Sequence, residues 1–389
     1  MKKTILFVPG FVVDVYSEIE ASFVELCAQP NPFVDFVWLV PSIQSPLNRF
    51  AAPANRERLR EPVWMEALRR NGIRYVVGDI HKFGVLHNIR LFRRLFREYQ
   101  IDAVYTHFGL ERFWSVFLGK LWGKTTVWNE HWHSLGNQFG GAKAVFYRMF
   151  VDAFISVSDF ITTTLPGGIP VWTIRNAIRV EPTEHSTSSA EGRARLGLPA
   201  NGKIVLMVAE FRPDKRHMFA LQACRAISQR YVDTNFVFLG DGVLRTEFVR
   251  QVRAKRLERV FSPGHVHNVA DYYAVADVCI LTSHYEPFGY CVLEAMKYGV
   301  PMVAFDCGGP AEIIVDGRTG MLVAESASPR EFADIVSGLL GDDDRRKALG
   351  QHARDAVRRD FNREAWIRRL VSALNSIASG PPIITNRTA

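Results

Sequence analysis

Residues 281–323, LTSHYEPFGYCVLEAMKYGVPMVAFDCGGPAEIIVDGRTGMLV, read as one strand–helix–strand repeat of a parallel α/β sheet. Residues 278–282 form a short apolar run of the kind a buried parallel strand requires. Residues 284–289 make a turn, and residues 290–298 have apolar spacing suited to a helix lying on a sheet. Gly299 followed by Pro301 is a stop signal for that helix. Residues 300–305 read as the next strand, Gly308 and Gly309 break it, and a further element begins at residues 312–315.

Two carboxylates belong to this unit. Glu286 sits in the strand-to-helix turn, and Glu294 lies about one turn inside the helix at the same end. Between them, Phe288, Gly289 and Tyr290 place backbone N–H groups at a helix N-terminus. Such an end favours anions, by roughly 0.3–1 kcal/mol for each negative group held there. Carboxylates repel phosphate but accept hydrogen bonds from sugar hydroxyls. N–H donors for phosphate beside two Glu acceptors for hydroxyls describe a sugar nucleotide. A turn Glu and a solvated helix Glu fit the same spacing.

Glu286-x7-Glu294, with Pro287-Phe288-Gly289 after the first Glu, continues into Gly308-Gly309-Pro310-x-Glu312 and Asp316-Gly317-x-Thr319-Gly320. This ordered string resembles the C-terminal signature of the retaining glycosyltransferase family 4 (glycosyl transferases group 1), of GT-B fold. The resemblance covers residues 200–378 well and the first 180 loosely. It implies an α/β fold of two Rossmann-like domains facing across a cleft. Residues 1–180 would bind the acceptor, 181–202 would link, and 203–378 would bind the nucleotide sugar. The last helix would pack back on the first domain, and 379–389 would be a tail.

At 389 residues the chain is long enough for two domains. Its net charge is +8, and most of the excess lies in residues 1–180. That balance suits an acidic substrate, an anionic lipid surface or nucleic acid. No nucleic-acid-binding motif is present, so nucleic acid ranks last. Cys27, Cys224, Cys279, Cys291 and Cys307 are odd in number and widely spaced, which suggests neither a zinc site nor a disulfide framework. A reducing cytoplasm fits. The apolar start TILFVPGFVV is broken by Pro9 and Gly10 and reads as the first strand rather than a leader. No run of about 18 apolar residues exists to span a membrane.

The first βα turn carries one glycine, Gly10, where a nicotinamide enzyme would carry Gly-x-Gly-x-x-Gly. Arg56, Arg58 and Arg60 mark an acceptor-side loop or a solvated face. Residues 88–99, NIRLFRRLFREY, form an amphipathic helix. A surface helix with its apolar stripe in the core is favoured over one lying on anionic lipid. Strands at 102–105 and 125–128 end near His107 and near Glu130, His131 and His133. Groups beyond the carboxyl ends of strands line the crevice of an open α/β sheet.

The resemblance adds roles residue by residue. Gly10 would border the donor phosphates or the acceptor. His131 would face the transferred sugar, with His133 the competing position. Lys215 would hold the donor pyrophosphate. Glu210 stands where the family usually has Arg, and Arg212 is the substitute. Gly240, His265 and Val266 would line the nucleotide. Glu286 would hold donor sugar hydroxyls, assisted by the N–H groups of Phe288, Gly289 and Tyr290, and Glu294 would accept from the ribose.

No metal or cofactor is called for, since cations and the helix end stabilise the leaving diphosphate. The co-substrate would be a UDP- or GDP-sugar. The acceptor would be a saccharide, a lipid-linked saccharide or a lipopolysaccharide core, with peripheral association at the cytoplasmic face of the inner membrane. Two other classes compete. A glycoside hydrolase would use Glu286 and Glu294 as acid and nucleophile, at about 5–5.5 Å for retention. A catalytically silent partner subunit would bind nucleotide sugar without turnover; a sugar-nucleotide epimerase fits the string less well.

Overall fold

The computed structural model describes residues 2–10, 18–42, 61–109, 111–131, 140–180 and 189–380. The chain divides into two units, Met1–Asn176 with Arg363–Ala389, and Ala177–Asn362.

The first unit alternates strands and helices. In chain order these are β1 (Lys3–Val8), α1 (Glu18–Ala28), β2 (Val34–Val40), α2 (Met65–Arg70), β3 (Arg74–Val77), α3 (Val85–Glu98) and β4 (Ala103–Thr106). Then follow α4 (Glu111–Leu121), β5 (Thr125–Glu130), α5 (Gly140–Phe150), β6 (Ala153–Ser156), α6 (Asp159–Thr163) and β7 (Val171–Thr173). The strands pair in parallel, in the order β3-β2-β1-β4-β5-β6-β7. Helices cover both faces of such a sheet, so its central strands read as unbroken apolar runs. Ile5, Leu6 and Phe7 are accordingly fully buried.

Helix α3 buries Leu91, Phe92, Leu95 and Phe96 in a cluster with Leu6, Val37 and Val104. Arg90, Arg93, Arg94 and Arg97 point outward. Its apolar stripe is therefore part of the core. No helix among the described residues is long and apolar enough to cross a membrane.

The second unit runs α7 (Ser189–Arg195), β8 (Ile204–Val208), α8 (His217–Arg230), β9 (Asn235–Leu239), α9 (Arg245–Ala254), β10 (Val260–Gly264) and α10 (Val269–Val275). It continues with β11 (Val278–Leu281), α11 (Tyr290–Tyr298), β12 (Met302–Phe305), α12 (Gly308–Ile313), β13 (Met321–Val323), α13 (Pro329–Leu340) and α14 (Asp343–Asp360). The parallel order is β10-β9-β8-β11-β12-β13. Helix α7 falls inside the stretch read as a linker. Gly299 ends α11 in the left-handed conformation (φ 68°) that a Cβ-free residue adopts cheaply. Gly308 and Gly309 do more than break β12, because they open α12. A Cβ on Gly309 would lie 2.1 Å from the Phe288 carbonyl oxygen, so only glycine lets this turn start against that backbone.

The chain then returns to the first unit as α15 (Arg363–Ala378). Trp366 meets Phe23 of α1 edge-on at 5.2 Å. Arg363, 4% exposed, pairs with Glu18 and, at 3.1 Å, with Glu25. All five cysteines are free thiols.

Candidate active site in the second unit

In each sheet the strand order reverses beside the first strand of the unit, at β1/β4 and at β8/β11. Loops leaving the carboxyl ends of two such strands diverge to opposite faces and leave a crevice between them.

At β8/β11 the two loops are cross-linked. The Thr282 hydroxyl donates to the Lys215 carbonyl at 2.9 Å, and the His284 N–H donates to the Asp214 carbonyl at 3.2 Å. Lys215 Nζ lies 2.6 Å from Glu286 Oε2, and both side chains are nearly buried. Burial disfavours charge on Lys215, but the Glu286 carboxylate outweighs it and holds the ammonium above its ordinary range. The sequence places these two residues 71 positions apart; the β8/β11 pairing brings them together.

Arg212 is engaged within its own loop. Its guanidinium grips Asp214 through Nε at 3.1 Å and Nη2 at 2.9 Å, and Nη1 lies 3.2 Å from Glu210. Burial opposes ionisation of Asp214, yet the Arg212 hydrogen bonds keep its carboxyl below the usual range. Asp214 is a site residue that motif reading passed over; its place between Arg212 and Lys215 was the available signal.

Gly289 adopts φ 101° at the N-cap of α11, where it has no side chain of its own to cap the helix. The first amides of a helix find no acceptor within the helix itself, which makes such an end a general donor of hydrogen bonds. Phe288 is buried and stands edge-on to Tyr290 at 5.6 Å. The Gly309 N–H donates to the Glu286 carbonyl at 2.8 Å, which ties the loop after β12 to the same turn. Glu294, half-buried, accepts from the Tyr273 hydroxyl at 2.8 Å, and burial pushes its carboxyl up. Tyr273 lies 21 positions away on α10, so no local pattern announces it.

The loop after β9 joins this edge. Gly240 (φ 127°) donates to the Gly264 carbonyl at 2.9 Å, and a Cβ there would strike the Ala209 carbonyl oxygen at 2.1 Å. His265 is exposed and Val266 half-buried just beyond β10. Cations, a helix N-terminus and carboxylates thus gather on the carboxyl edge of one sheet. That set can hold an anionic group and hydroxyls together.

In the first unit, Gly10 (φ 56°) lets the loops after β1 and β4 meet, since a Cβ would lie 2.2 Å from the Phe108 carbonyl oxygen. His107 and His131 touch through their Nε2 atoms at 2.8 Å. Burial, helped by Arg112, pushes His131 down to about 3 and His107 well below its ordinary value. Both rings are neutral at pH 7, one donating and one accepting. Glu130 departs from the expected crevice position. It is 1% exposed, takes the Trp128 indole N–H at 3.1 Å and pairs with Arg112 at 3.2 Å. Strand β5 extends to Glu130, so its side chain is spent inside the unit. His133 and the Arg56, Arg58 and Arg60 cluster lie outside the described residues.

The profile of the family described as glycosyl transferases group 1 matches residues 188–356. A D-inositol 3-phosphate glycosyltransferase of Corynebacterium urealyticum is 30% identical over 209 residues, 51% of this chain and 48% of that protein. An N-acetyl-alpha-D-glucosaminyl L-malate synthase of Bacillus anthracis is 34% identical over 169 residues, 43% of this chain and 44% of that protein. The chain spans about half the length of these curated relatives. Among solved structures, Anabaena HepE in complex with UDP-glucose superposes with a TM-score of 0.77 at 19% identity, over 96% of this chain and 99% of that one. Sucrose-phosphate synthase from Thermosynechococcus elongatus gives 0.72 at 18% identity, over 97% and 100%. The two parallel sheets are those of the GT-B fold.

Proposed function

We propose, from the match of residues 188–356 to the glycosyl transferases group 1 profile, that the chain transfers a sugar from a nucleotide-sugar donor to a saccharide or lipid-linked acceptor with retention at the anomeric carbon. The observation that carries this reading is the Lys215–Glu286 pair beside the N-terminus of α11. Lys215 and the helix end take the diphosphate. As the glycosidic bond breaks, negative charge grows on that leaving group, and donors already aimed at it lower the barrier. Glu286 accepts from donor sugar hydroxyls, with the amides of Phe288, Gly289 and Tyr290 assisting. Glu294 accepts from the ribose with the lone pairs that Tyr273 leaves free. Gly240, His265 and Val266 border the nucleotide, and Arg212 reaches it only on loosening its hold on Asp214. These charges do the work without a metal, and the donor is a UDP- or GDP-sugar.

Acceptor recognition falls to the first unit, with His131 as its positioning residue and its basic charge suited to an anionic acceptor. Work at the cytoplasmic face of a membrane fits such an acceptor. The competing reading is a silent partner subunit, and Arg212 favours it, because its guanidinium is already occupied.

The test is transfer itself. Purified chain is incubated with UDP- and GDP-sugars and with saccharide and lipid-linked acceptors, and the product anomer is read by NMR. A product with the donor's configuration supports the proposal. Inversion overturns the retaining assignment, and donor binding without transfer to any acceptor supports the silent subunit.

A further inference from the structure

A second cationic feature lies at the other end of the first unit's sheet. Helix α3 and the turn entering β5 enclose an open pocket of about 550 Å³ lined by Ile89, Arg93, Phe96, Arg97, Trp122 and Lys124. Lys124 directly precedes β5, whereas His131 directly follows it, so this pocket sits roughly 20 Å from the loops at the carboxyl ends. Arg93 and Arg97 are one turn apart on one face of α3 and are exposed. Lys124 faces them from the neighbouring turn, with Nζ 5.8 Å from the Phe96 ring. Trp122 stands edge-on to Phe96 at 6.0 Å and completes an apolar floor. Among the described residues no carboxylate pairs with Arg93, Arg97 or Lys124, whereas Arg69, Arg70 and Arg74 of the same unit each have such a partner.

We propose that this pocket binds a phosphate ester, at a site separate from the donor site. Three cations converge without a competing acid, and two guanidinium forks match the oxygens of a phosphate. The Trp122 and Phe96 rings would cover the carbon skeleton next to it. A lipid headgroup and a soluble phosphate ester share this chemistry. The inference rests on the first unit alone and stands whether or not the second unit transfers sugar.

The full chain is titrated with glycerol 3-phosphate, and separately sedimented with phosphatidylcholine vesicles with and without phosphatidylglycerol. Arg93→Gln/Arg97→Gln is compared with Arg90→Gln/Arg94→Gln, which removes the same charge from the same helix outside the pocket. The expected result is binding that falls about tenfold or more in the first variant and less than twofold in the second. Binding of glycerol 3-phosphate identifies a soluble ester, and binding of phosphatidylglycerol vesicles alone identifies a headgroup. Equal losses in both variants mean diffuse charge and overturn the pocket, as does absence of binding to either probe or binding that neither variant changes. Should the double variant fail to fold, Lys124→Gln makes the same test from the other wall.

Discussion

Lys215 Nζ and Glu286 Oε2 stand 2.6 Å apart at the point where the second sheet reverses its strand order. Both side chains are almost fully withdrawn from water, at 11% and 12% exposure. An ion pair so placed is strongly asymmetric in its response to mutation. Removing one partner strands the other charge, at a cost on the order of 3 kcal/mol, while replacing both is close to neutral. Urea unfolding of Lys215→Met, Glu286→Gln and the double variant should therefore show two destabilised singles and a double more stable than either. A double that loses the sum of the two singles would mean the side chains are not coupled.

The His107–His131 contact predicts an acid-sensitive first unit. The folded state refuses a proton that the unfolded chain accepts from about pH 6.5 downward, since burial holds His131 near 3. Stability is thus complete above pH 6.5 and declines as the pH falls from there towards 3, at about 1.4 kcal/mol per pH unit for His131. Urea unfolding of the wild type at pH 7.5 and pH 5 should differ by on the order of 2 kcal/mol from this residue. His131→Asn should shrink that difference, and an unchanged pH dependence would show that the ring is already charged in the fold.

Glycines of the second unit separate clash from propensity. Gly309→Ala drives a Cβ within 2.4 Å of three Phe288 backbone atoms. It should cost about 1–3 kcal/mol and weaken nucleotide binding by displacing the turn that holds Glu286. Gly338→Ala, inside α13 with no atom within 4 Å of the added Cβ, should stabilise by about 0.5–1 kcal/mol. Thermal melts of the two variants should move in opposite directions.

Tyr273 and Glu294 make a hydrogen bond at 2.8 Å with the carboxyl already pushed up by burial. Tyr273→Phe should cost about 1–3 kcal/mol. If Glu294 reads the ribose, Glu294→Gln should also narrow the preference for a ribonucleotide over its 2′-deoxy form, measured by competition. An intact preference would assign Glu294 to structure alone.

Sequence and structure agree best where the physics is local. The β11–α11–β12 repeat is legible because a buried parallel strand needs an apolar run and a helix needs a stop, and Gly299 with Pro301 supplies it. The apolar stripe of α3 is legible for the same reason. What was hidden depends on partners far along the chain. Glu130 looked poised for a crevice, but Arg112, 18 positions earlier, and Trp128 claim it. Arg212 looked available as a phosphate ligand, but Asp214 and Glu210 hold it. Tyr273 was invisible because only the packing of α10 against α11 brings it to Glu294.

The most direct measurement is calorimetric titration of the chain with UDP, GDP and ADP and their sugar conjugates, with Lys215→Ala and Glu286→Ala alongside. One nucleotide family should bind tightly. Lys215→Ala should weaken it about tenfold to a hundredfold, as loss of a charged hydrogen bond implies. Glu286→Ala should abolish the preference for the sugar conjugate over the bare diphosphate. Absence of nucleotide binding in the wild type, or binding that Lys215→Ala leaves intact, would contradict a diphosphate site at Lys215.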